Sequence, residues 1–305
     1  MREIRWGIIG CGDVTEVKSG PGFQKAPNSR LVAVMRRNGG LAKDYAIRHR
    51  VPKWYDNACG LINDPEVDAV YIATPPAFHK EYVLEVAKAG KPVYVEKPMA
   101  ISFNECQEML EICQEKSVPL YVAYYRRSRP SFQKVKEILE SDIIGDIRFV
   151  QVTHYCKPTE ADKGNEKQPW RVDPKVAGGG YFYDLGCHTL DLLEFLLGPI
   201  VEAYGRASNQ GGYYSSEDIV SGIFTFESGV HGTGLWCFTA FKDIEQNLIV
   251  GTKGEIIYST FANEPIRVIT EKGEEKIMID HPPHVQQPLI EDVVGELLGY
   301  KKCPS

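Results

Sequence analysis

The residue best suited to chemistry in the first half of the chain is Lys97. It follows the short apolar run Val93–Val95, with Glu96 before it and Pro98 after it. A lysine amine donates hydrogen bonds to a substrate oxygen and, when its pKa is lowered, accepts a proton. A surface ion pair beside a turn fits the same three letters, so this motif carries little weight alone.

The second half offers three polar residues, Asp184, His188 and Asp191, at spacings of i, i+4 and i+7. The apolar pattern predicts a helix over Tyr181–Leu197, and this spacing puts the three on one helical face. A carboxylate near an imidazole suits general acid–base catalysis. Polar residues on such a helix can also be satisfied core groups, and we expect that role for Asp191.

The elements that would position Lys97 form an alternating pattern. Strands are predicted at Ile4–Ile9, Leu31–Met35, Ala69–Ile72, Val93–Val95 and Leu120–Tyr124, and helices at Leu41–Arg50, His79–Ala89 and Phe103–Lys116. Strands that are apolar throughout are typical of a parallel sheet covered on both faces. The pattern therefore predicts an α/β fold of the Rossmann type, with a doubly wound parallel sheet, over residues 1–125.

A glycine-rich turn follows the first predicted strand. Gly10 and Gly12 allow a tight turn and a close approach of the backbone to a pyrophosphate. The helix that begins near Asp13 and Val14 would offer its N–H groups to the phosphates. An ordinary tight turn is the other interpretation, but the position on the first strand favours a dinucleotide site.

The end of the second strand bears on which dinucleotide is bound. NAD-binding versions of the fold place an acidic residue here for the ribose hydroxyls. This corner reads Arg36-Arg37-Asn38 and has no carboxylate. Because a guanidinium pairs with a 2′-phosphate, the sequence predicts NADP with Arg36 and Arg37 as ligands, and NAD remains possible. A solvated arginine pair is the alternative.

A proline-containing loop follows the third strand. Thr74 and Pro75 begin it and His79 ends it, at a strand end where ligands bind in open α/β sheets. We expect these three residues, with Glu96 and Lys97, to contact the cofactor.

Taken in order, these motifs resemble one family. GIIGCG, ATPPxxH and VEKP, followed by GGYFYDLGCHTLD at residues 179–191, are similar to the motifs of the Gfo/Idh/MocA oxidoreductases. The resemblance covers nearly the whole chain. It implies an enzyme that moves a hydride between a nicotinamide and a secondary hydroxyl or ketone of a sugar-like substrate. In that family, residues matching Lys97, Asp184 and His188 contact the reacting hydroxyl.

The resemblance leaves open whether His188 or Lys97 carries the proton, with Asp184 orienting the pair. The pKa of a free lysine is near ~10.4, and that of an efficient base is near ~7–8. Lowering the pKa of Lys97 into that range requires about 4 kcal/mol of differential interaction between its two protonation states. Histidine needs almost no tuning. We therefore favour His188 as the proton carrier, with Lys97 polarising the oxygen.

Two other functions remain open within the same fold. One is an NAD-linked inositol or polyol dehydrogenase. The other is a dinucleotide-sensing regulator without turnover, for which three intact chemical side chains have no evident use.

The remaining residues, 126–305, are predicted to form an α+β domain for substrate binding and oligomerisation. Helix Pro130–Ser141 and strand Ile147–Tyr155 precede a polar stretch, Lys157–Pro174, that reads as a loop over the active site. In it, Trp170 and Arg171 suit a sugar ring and its hydroxyls, although a buried tryptophan anchor fits equally. Tyr125, at the domain junction, fits substrate contact or packing.

The end of the chain is rich in strand patterns. These are Glu202–Ala207, Asp218–Phe226, Val230–Cys237, Glu245–Gly251, Glu255–Ser259, Arg267–Glu271 and Glu274–Ile279. They predict a mostly antiparallel sheet with one open face, and the family resemblance implies a homodimer or homotetramer through that face. The family usually continues with a helix returning to the nucleotide domain, so we expect a C-terminal helix to be missing after Ser305.

Composition narrows the class of protein. The 305 residues carry a net charge of -6, which gives no electrostatic reason to bind nucleic acid or an anionic membrane. No apolar run reaches the ~18 residues of a membrane span. The eight cysteines lack zinc-site spacing, so we expect no metal and free thiols in the cytoplasm.

Overall fold

The computed structural model describes residues 3–164 and 168–305. The chain forms two compact units, one of Met1–Arg129 with Pro282–Ser305 and the other of Pro130–His281. This division differs from the predicted boundary between residues 125 and 126, because Pro282–Ser305 folds onto the first unit rather than the second.

The first unit is built on a parallel sheet. Its strands are β1 (Ile4–Ile9), β2 (Ser29–Met35), β3 (Lys53–Tyr55), β4 (Ala69–Ile72), β5 (Val93–Val95) and β6 (Leu120–Val122). Its first helices are α1 (Asp13–Val17), α2 (Gly20–Lys25), α3 (Gly39–His49), α4 (Ala58–Ile62), α5 (His79–Lys88) and α6 (Phe103–Glu115). The strand order β3-β2-β1-β4-β5-β6 confirms the predicted doubly wound sheet.

The two faces of this sheet differ in chemistry. On one face the rings of Trp6, Tyr71 and Tyr94 pack together with Phe23 of α2, the Trp6 and Phe23 centroids being 4.9 Å apart. On the other face α4, α5 and α6 cover an aliphatic layer that comprises Ile9, Val70, Ile72, Val93 and Val95. Burial on both faces explains why the strands are apolar throughout.

The second unit begins with α7 (Pro130–Glu140) and contains a larger sheet. Its strands are β7 (Ile147–Tyr155), β8 (Ile200–Ser208), β9 (Ile219–Phe226), β10 (His231–Cys237), β11 (Ile244–Gly251), β12 (Gly254–Tyr258), β13 (Ile266–Thr270) and β14 (Gly273–Ile277). The order is β14-β13-β12-β11-β7-β10-β9-β8, and the β7–β10 pair is parallel while the other pairs are antiparallel. The predicted mostly antiparallel sheet is therefore confirmed.

Helices cover one face of this second sheet. The helix α10 (Cys187–Leu197) packs with α7 over an apolar core that includes Phe132, Leu192 and Leu193. On the opposite face large apolar side chains are exposed, among them Ile223, which is 57% exposed. The sheet thus keeps one open face.

The polar stretch between β7 and α10 is more ordered than a plain loop. It contains α8 (Glu160–Lys163), a 3₁₀ turn at Trp170–Val172 and α9 (Pro174–Ala177). Residues 165–167 of the predicted loop lie outside the described residues. The Tyr181 hydroxyl donates to Asp162 Oδ1 at 2.7 Å, which ties α8 to the segment before α10.

A last helix, α11 (Gln287–Leu297), belongs to the first unit. Leu289, Ile290 and Val293 are fully buried in the aromatic-face core, with Val294 beside them. The sequence predicts residues 282–305 in the second domain, whereas in the structure Pro282–Ser305 clusters with the first unit. The i, i+1, i+4, i+5 apolar pattern of α11 begins at Leu289, directly after a proline that the first helical turn tolerates.

Within the ranges described, no helix combines the length and the apolar character that a membrane span requires.

The buried stripe of α11 yields a stability prediction. Leu289→Ala should lower the free energy of unfolding by about 2–5 kcal/mol, because it leaves a cavity in a close-packed core. Glu291→Ala, on the same helix but at a partly exposed position bonded to Gln287, should change it by less than about 0.5 kcal/mol. Urea unfolding followed by circular dichroism measures both, and equal losses in the two variants would contradict the packing role of α11.

Candidate active site

The glycine turn after β1 makes a close backbone approach. Gly10 has φ +91°, and a Cβ there would lie 3.0 Å from the carbonyl of Ala73 and 2.8 Å from Thr74 Cγ2. A side chain is therefore excluded both by the left-handed backbone and by the strand end of β4. This contact brings the ends of β1 and β4 together at the point where the strand order reverses, which is where such sheets bind ligands.

The helix α1 starts directly from this turn. Gly12 is its N-cap, and the Gly12 N–H donates to Thr15 Oγ1 at 2.9 Å. The N–H groups of Asp13 and Val14, at the first two helical positions, have no acceptor within the helix. With only five residues, α1 supplies these donors and a weak dipole.

An orphaned hydroxyl lies at the same strand end. Thr74 Oγ1 is buried and has no hydrogen-bond partner among the residues that the structure describes. Pro75, next to it, is half-buried. Because a buried hydroxyl normally finds a partner, Thr74 is suited to bond a bound ligand. The turn, the free N–H groups and this hydroxyl together fit a dinucleotide.

The corner after β2 is positively charged. Arg36 and Arg37 are both exposed, and the Arg37 guanidinium lies over the Phe78 ring at 5.0 Å from the centroid. The Asn38 carboxamide oxygen accepts from the Leu41 N–H and caps α3. No side chain of residues 36–38 is acidic, so this corner suits an additional phosphate.

The side chain of His79 is enclosed by backbone carbonyl groups of two loops. Its ring is fully buried, with Nε2 2.7 Å from the Thr74 carbonyl oxygen and Nδ1 3.0 Å from that of Pro98. Burial lowers the pKa of His79, although the surrounding carbonyl groups oppose that shift. The imidazole therefore ties the loop after β4 to the loop after β5, and its contact with a cofactor stays a prediction.

Glu96 also turns into the protein. Its Oε1 accepts from the Tyr71 hydroxyl at 2.5 Å and from Gln286 Nε2 at 2.6 Å, and its Oε2 accepts from the Lys97 N–H at 3.1 Å. The Glu96 side chain is buried and holds the backbone of Lys97, while its predicted contact with the cofactor stays a prediction. Lys97 itself is half-buried at the end of β5.

Tyr125 lies in a 3₁₀ turn after β6. It is 8% exposed, and the Arg126 guanidinium lies over its ring at 4.8 Å. The stacked arrangement favours the packing interpretation of Tyr125.

In the second unit, three of the predicted residues come together. Trp170 and Arg171 form a cation–π pair with the guanidinium 4.6 Å from the ring centroid, and Arg171 Nε lies 3.3 Å from Asp184 Oδ2. Trp170 is 38% exposed, so it is not the buried anchor of the alternative interpretation. A tryptophan face beside an arginine and a carboxylate is suited to a polyhydroxylated ring.

The helix that carries Asp184 and His188 is not regular. Phe182–Gly186 forms a π-helical turn, and α10 begins only at Cys187. The expected i, i+4 alignment is therefore changed at Asp184, whereas His188 and Asp191 lie on α10 and are both buried. π-helical turns occur frequently at functional sites.

Two aromatic residues of this region escaped the sequence analysis. His154 continues the inward alternation of Val150 and Val152 on β7, and its ring centroid is 5.1 Å from that of Phe261. Phe261 also contacts His188, with centroids 6.0 Å apart. Burial lowers the pKa of His154, partly opposed by the Glu245 carboxylate. The alternation was a usable signal for His154, but nothing local marks Phe261.

Family models match both parts of the chain. Residues 4–124 match the oxidoreductase family with an NAD-binding Rossmann fold, and residues 132–257 match the GFO/IDH/MocA C-terminal domain. The chain belongs to the Gfo/Idh/MocA family of oxidoreductases, enzymes that use a nicotinamide cofactor, as its motifs predicted.

Particular relatives can be named. An oxidoreductase of Formosa agariphila is 41% identical over 99% of this chain and 93% of its own length. The 1,5-anhydro-D-fructose reductase of Ensifer adhaerens is 29% identical over 90% of this chain and 83% of its own. Levoglucosan dehydrogenase, solved in complex with NADH and levoglucosan, has the same fold, with a TM-score of 0.85 at 22% identity over 99% of this chain and 91% of that one.

The glycine turn yields a prediction on nucleotide binding. Gly10→Ala should abolish NAD(P)H binding and destabilise the fold, because the methyl group meets the β4 backbone. Gly90→Ala is the matched control, since Gly90 also has positive φ but a Cβ there would meet open space. The control should lose only about 1–2 kcal/mol of stability and bind normally. Calorimetric titration with NADPH and NADH measures the difference, and normal binding by Gly10→Ala would refute the role of this turn.

Proposed function

We propose that this protein is an NADP-linked oxidoreductase that interconverts a secondary hydroxyl and a ketone on a sugar or polyol. The family membership supports the reaction class, and the relatives that act on an anhydro-sugar support the substrate class. The observation that carries the proposal is the grouping of Trp170, Arg171 and Asp184 one turn before the buried His188. It combines a sugar-binding surface with an acid–base group.

The reaction needs a proton to move. The nicotinamide, when bound, accepts or donates the hydride. A carbinol carbon loses hydride only as its O–H proton departs, and a ketone gains hydride only as its oxygen is protonated. We assign that proton to the His188 imidazole, and the polarising role of Lys97 stays a prediction from the family resemblance.

Asp184 has an orienting role in this proposal. Its carboxylate is 13% exposed and lies against the Arg171 guanidinium. The arginine fixes the direction of the carboxylate, so Asp184 can accept from a substrate hydroxyl next to the reacting one. Arg171, which is about half exposed, can donate to a neighbouring oxygen with its remaining N–H groups.

Removing the proton carrier tests the catalytic assignment. His188→Ala should lower kcat by about 10²–10⁴-fold, and Lys97→Met should do so with little change in folding. Lys116→Met, at an exposed position after α6, is the control and should retain full activity. The measurement is nicotinamide absorbance with a panel of keto-sugars and polyols. Unchanged kcat in both site variants would contradict the assignment.

The preference for NADP rests on the corner after β2. Arg36 and Arg37 stand where an acid would bind the ribose of NAD, and Arg36 is held there by its N–H bond to the Tyr55 carbonyl oxygen at 3.2 Å. A guanidinium bonded to a phosphate contributes roughly 1.5–3 kcal/mol, a factor of about 10–100 in affinity.

Arginine variants test this preference. Arg36→Ala and Arg37→Ala should each weaken NADPH binding by about tenfold or more and leave NADH binding almost unchanged. Arg30→Ala, at the opposite end of β2, should affect neither. Fluorescence titration gives the dissociation constants.

One observation favours NAD as the alternative cofactor. A Cβ built on Gly39 would lie 3.8 Å from Asp56 Oδ2, so a carboxylate is close to the start of α3. If the unmodified protein binds NADH more tightly than NADPH, this carboxylate becomes the ribose ligand and the assignment to NADP is wrong.

We also propose that copies of the chain associate through the open face of the second sheet. Phe149, Tyr204, Ile223 and Leu235 are 43%, 64%, 57% and 39% exposed. The register aligns Ile223 with Tyr204, and the Cα partners continue across β10 to β7. An apolar surface of this kind is characteristic of an interface.

A charge placed on that face tests the association. Ile223→Lys should convert the oligomer into a monomer, whereas Phe103→Lys, at an exposed aromatic of α6, should not. Light scattering during size-exclusion chromatography measures the mass. A monomeric unmodified protein would contradict this proposal.

A further inference from the structure

The turn between β12 and β13 is held by one carboxylate. Glu245 Oε1 accepts from the Thr260 N–H at 2.9 Å, and Oε2 accepts from the Phe261 N–H at 3.2 Å. The Ser259 hydroxyl donates to the same Oε2 in a short bond. Two consecutive N–H groups and a hydroxyl thus converge on a side chain from another strand, which makes the turn far more constrained than its length suggests.

Two further side chains, Asn247 and Ser259, make hydrogen bonds within this turn. Asn247 is fully buried, and its Nδ2 donates to Thr260 Oγ1 at 2.9 Å. Ser259 Oγ accepts from the Ala262 N–H at 2.7 Å, which closes the turn on itself. Hydrogen bonds with three side chains, Glu245, Asn247 and Ser259, therefore hold the backbone that carries Phe261 in place.

The ring of Phe261 contacts two imidazoles. Its centroid is 5.1 Å from that of His154 and 6.0 Å from that of His188, and the latter pair meets edge to face. His154 in turn packs edge to face on Phe238, with centroids 5.5 Å apart. Phe261 remains partly exposed, unlike Phe238, which is buried. A rigid aromatic surface therefore borders the histidine assigned above to proton transfer.

We infer that Phe261 is a specificity-determining residue, an apolar wall of the substrate site, and that Glu245 is the positioning residue that holds it. This inference rests on the proposed function. Contact with an aromatic face stabilises binding most when the substrate presents a continuous surface of C–H groups, as a pyranose or an inositol ring does. An acyclic polyol presents no such surface in a fixed conformation and must lose conformational freedom to form one. The wall thus selects cyclic substrates.

The test compares cyclic and acyclic substrates. D-glucose, myo-inositol and 1,5-anhydro-D-glucitol form the cyclic set, and D-sorbitol and xylitol the acyclic set, each with saturating cofactor. Phe261→Leu should raise KM for the cyclic substrates by about three- to tenfold, with kcat nearly unchanged, and leave the acyclic ones almost unaffected. Phe261→Tyr keeps the ring and should restore the selectivity. Phe241→Leu, at a phenylalanine 91% exposed, is the control and should have no effect.

Glu245→Gln tests the positioning role. The amide keeps one acceptor but cannot accept at its nitrogen, so it loses either the bond from the Thr260 N–H or the two bonds from the Ser259 hydroxyl and the Phe261 N–H. It should shift the cyclic-to-acyclic ratio in the same direction as Phe261→Leu, whereas Glu227→Gln in an exposed turn should not. Thermal unfolding establishes that each variant is folded.

The outcomes separate the two proposals. If the unmodified protein turns over substrate and Phe261→Leu has unchanged selectivity, the inferred role of Phe261 is wrong and the proposed function is unaffected. Activity confined to the acyclic set also overturns the wall. An absence of nicotinamide oxidation or reduction with every substrate contradicts the proposed function and the wall with it.

Discussion

The buried carboxylate of Glu96 is the interaction on which the nucleotide-binding unit depends. It joins three parts of that unit, since its donors are Tyr71 on β4, Gln286 before α11 and the N–H of Lys97. A charged group in such a place is stable only while these bonds are made, and losing one costs about 1–3 kcal/mol or more. The same bonds hold the end of β5, where Lys97 lies. The hydrogen bonds of Glu96 therefore both stabilise the nucleotide-binding unit and fix the position of Lys97.

The second unit repeats this arrangement with different residues. Glu245 holds the turn that bears Phe261, and Arg171 holds the carboxylate of Asp184. In each unit a carboxylate fixes backbone or a neighbouring side chain, and the group proposed for chemistry lies next to it. Because a catalytic group acts only in a narrow range of positions, such supports matter as much as the acting residue.

Much of the fold was predictable from local pattern. Strands β1, β4 and β5 have the predicted bounds because each is a short, almost wholly apolar run. The helix α11 carries a local signal, the apolar stripe that begins at Leu289. The partners of that stripe lie far away in the chain, so the pattern alone does not predict which unit the helix joins. The π-helical turn at Phe182–Gly186 likewise escaped a pattern read at the α-helical period.

The sequence by itself determined the family, the parallel sheet and the candidate groups Lys97, Asp184 and His188, because motif order and side-chain type are properties of the chain. Only the tertiary structure decided that His79 and Glu96 turn inward, since both find hydrogen-bond partners on other elements. It alone brought Phe261 against His188. Side-chain direction depends on partners that folding assembles, and burial permits only those directions that satisfy every polar group.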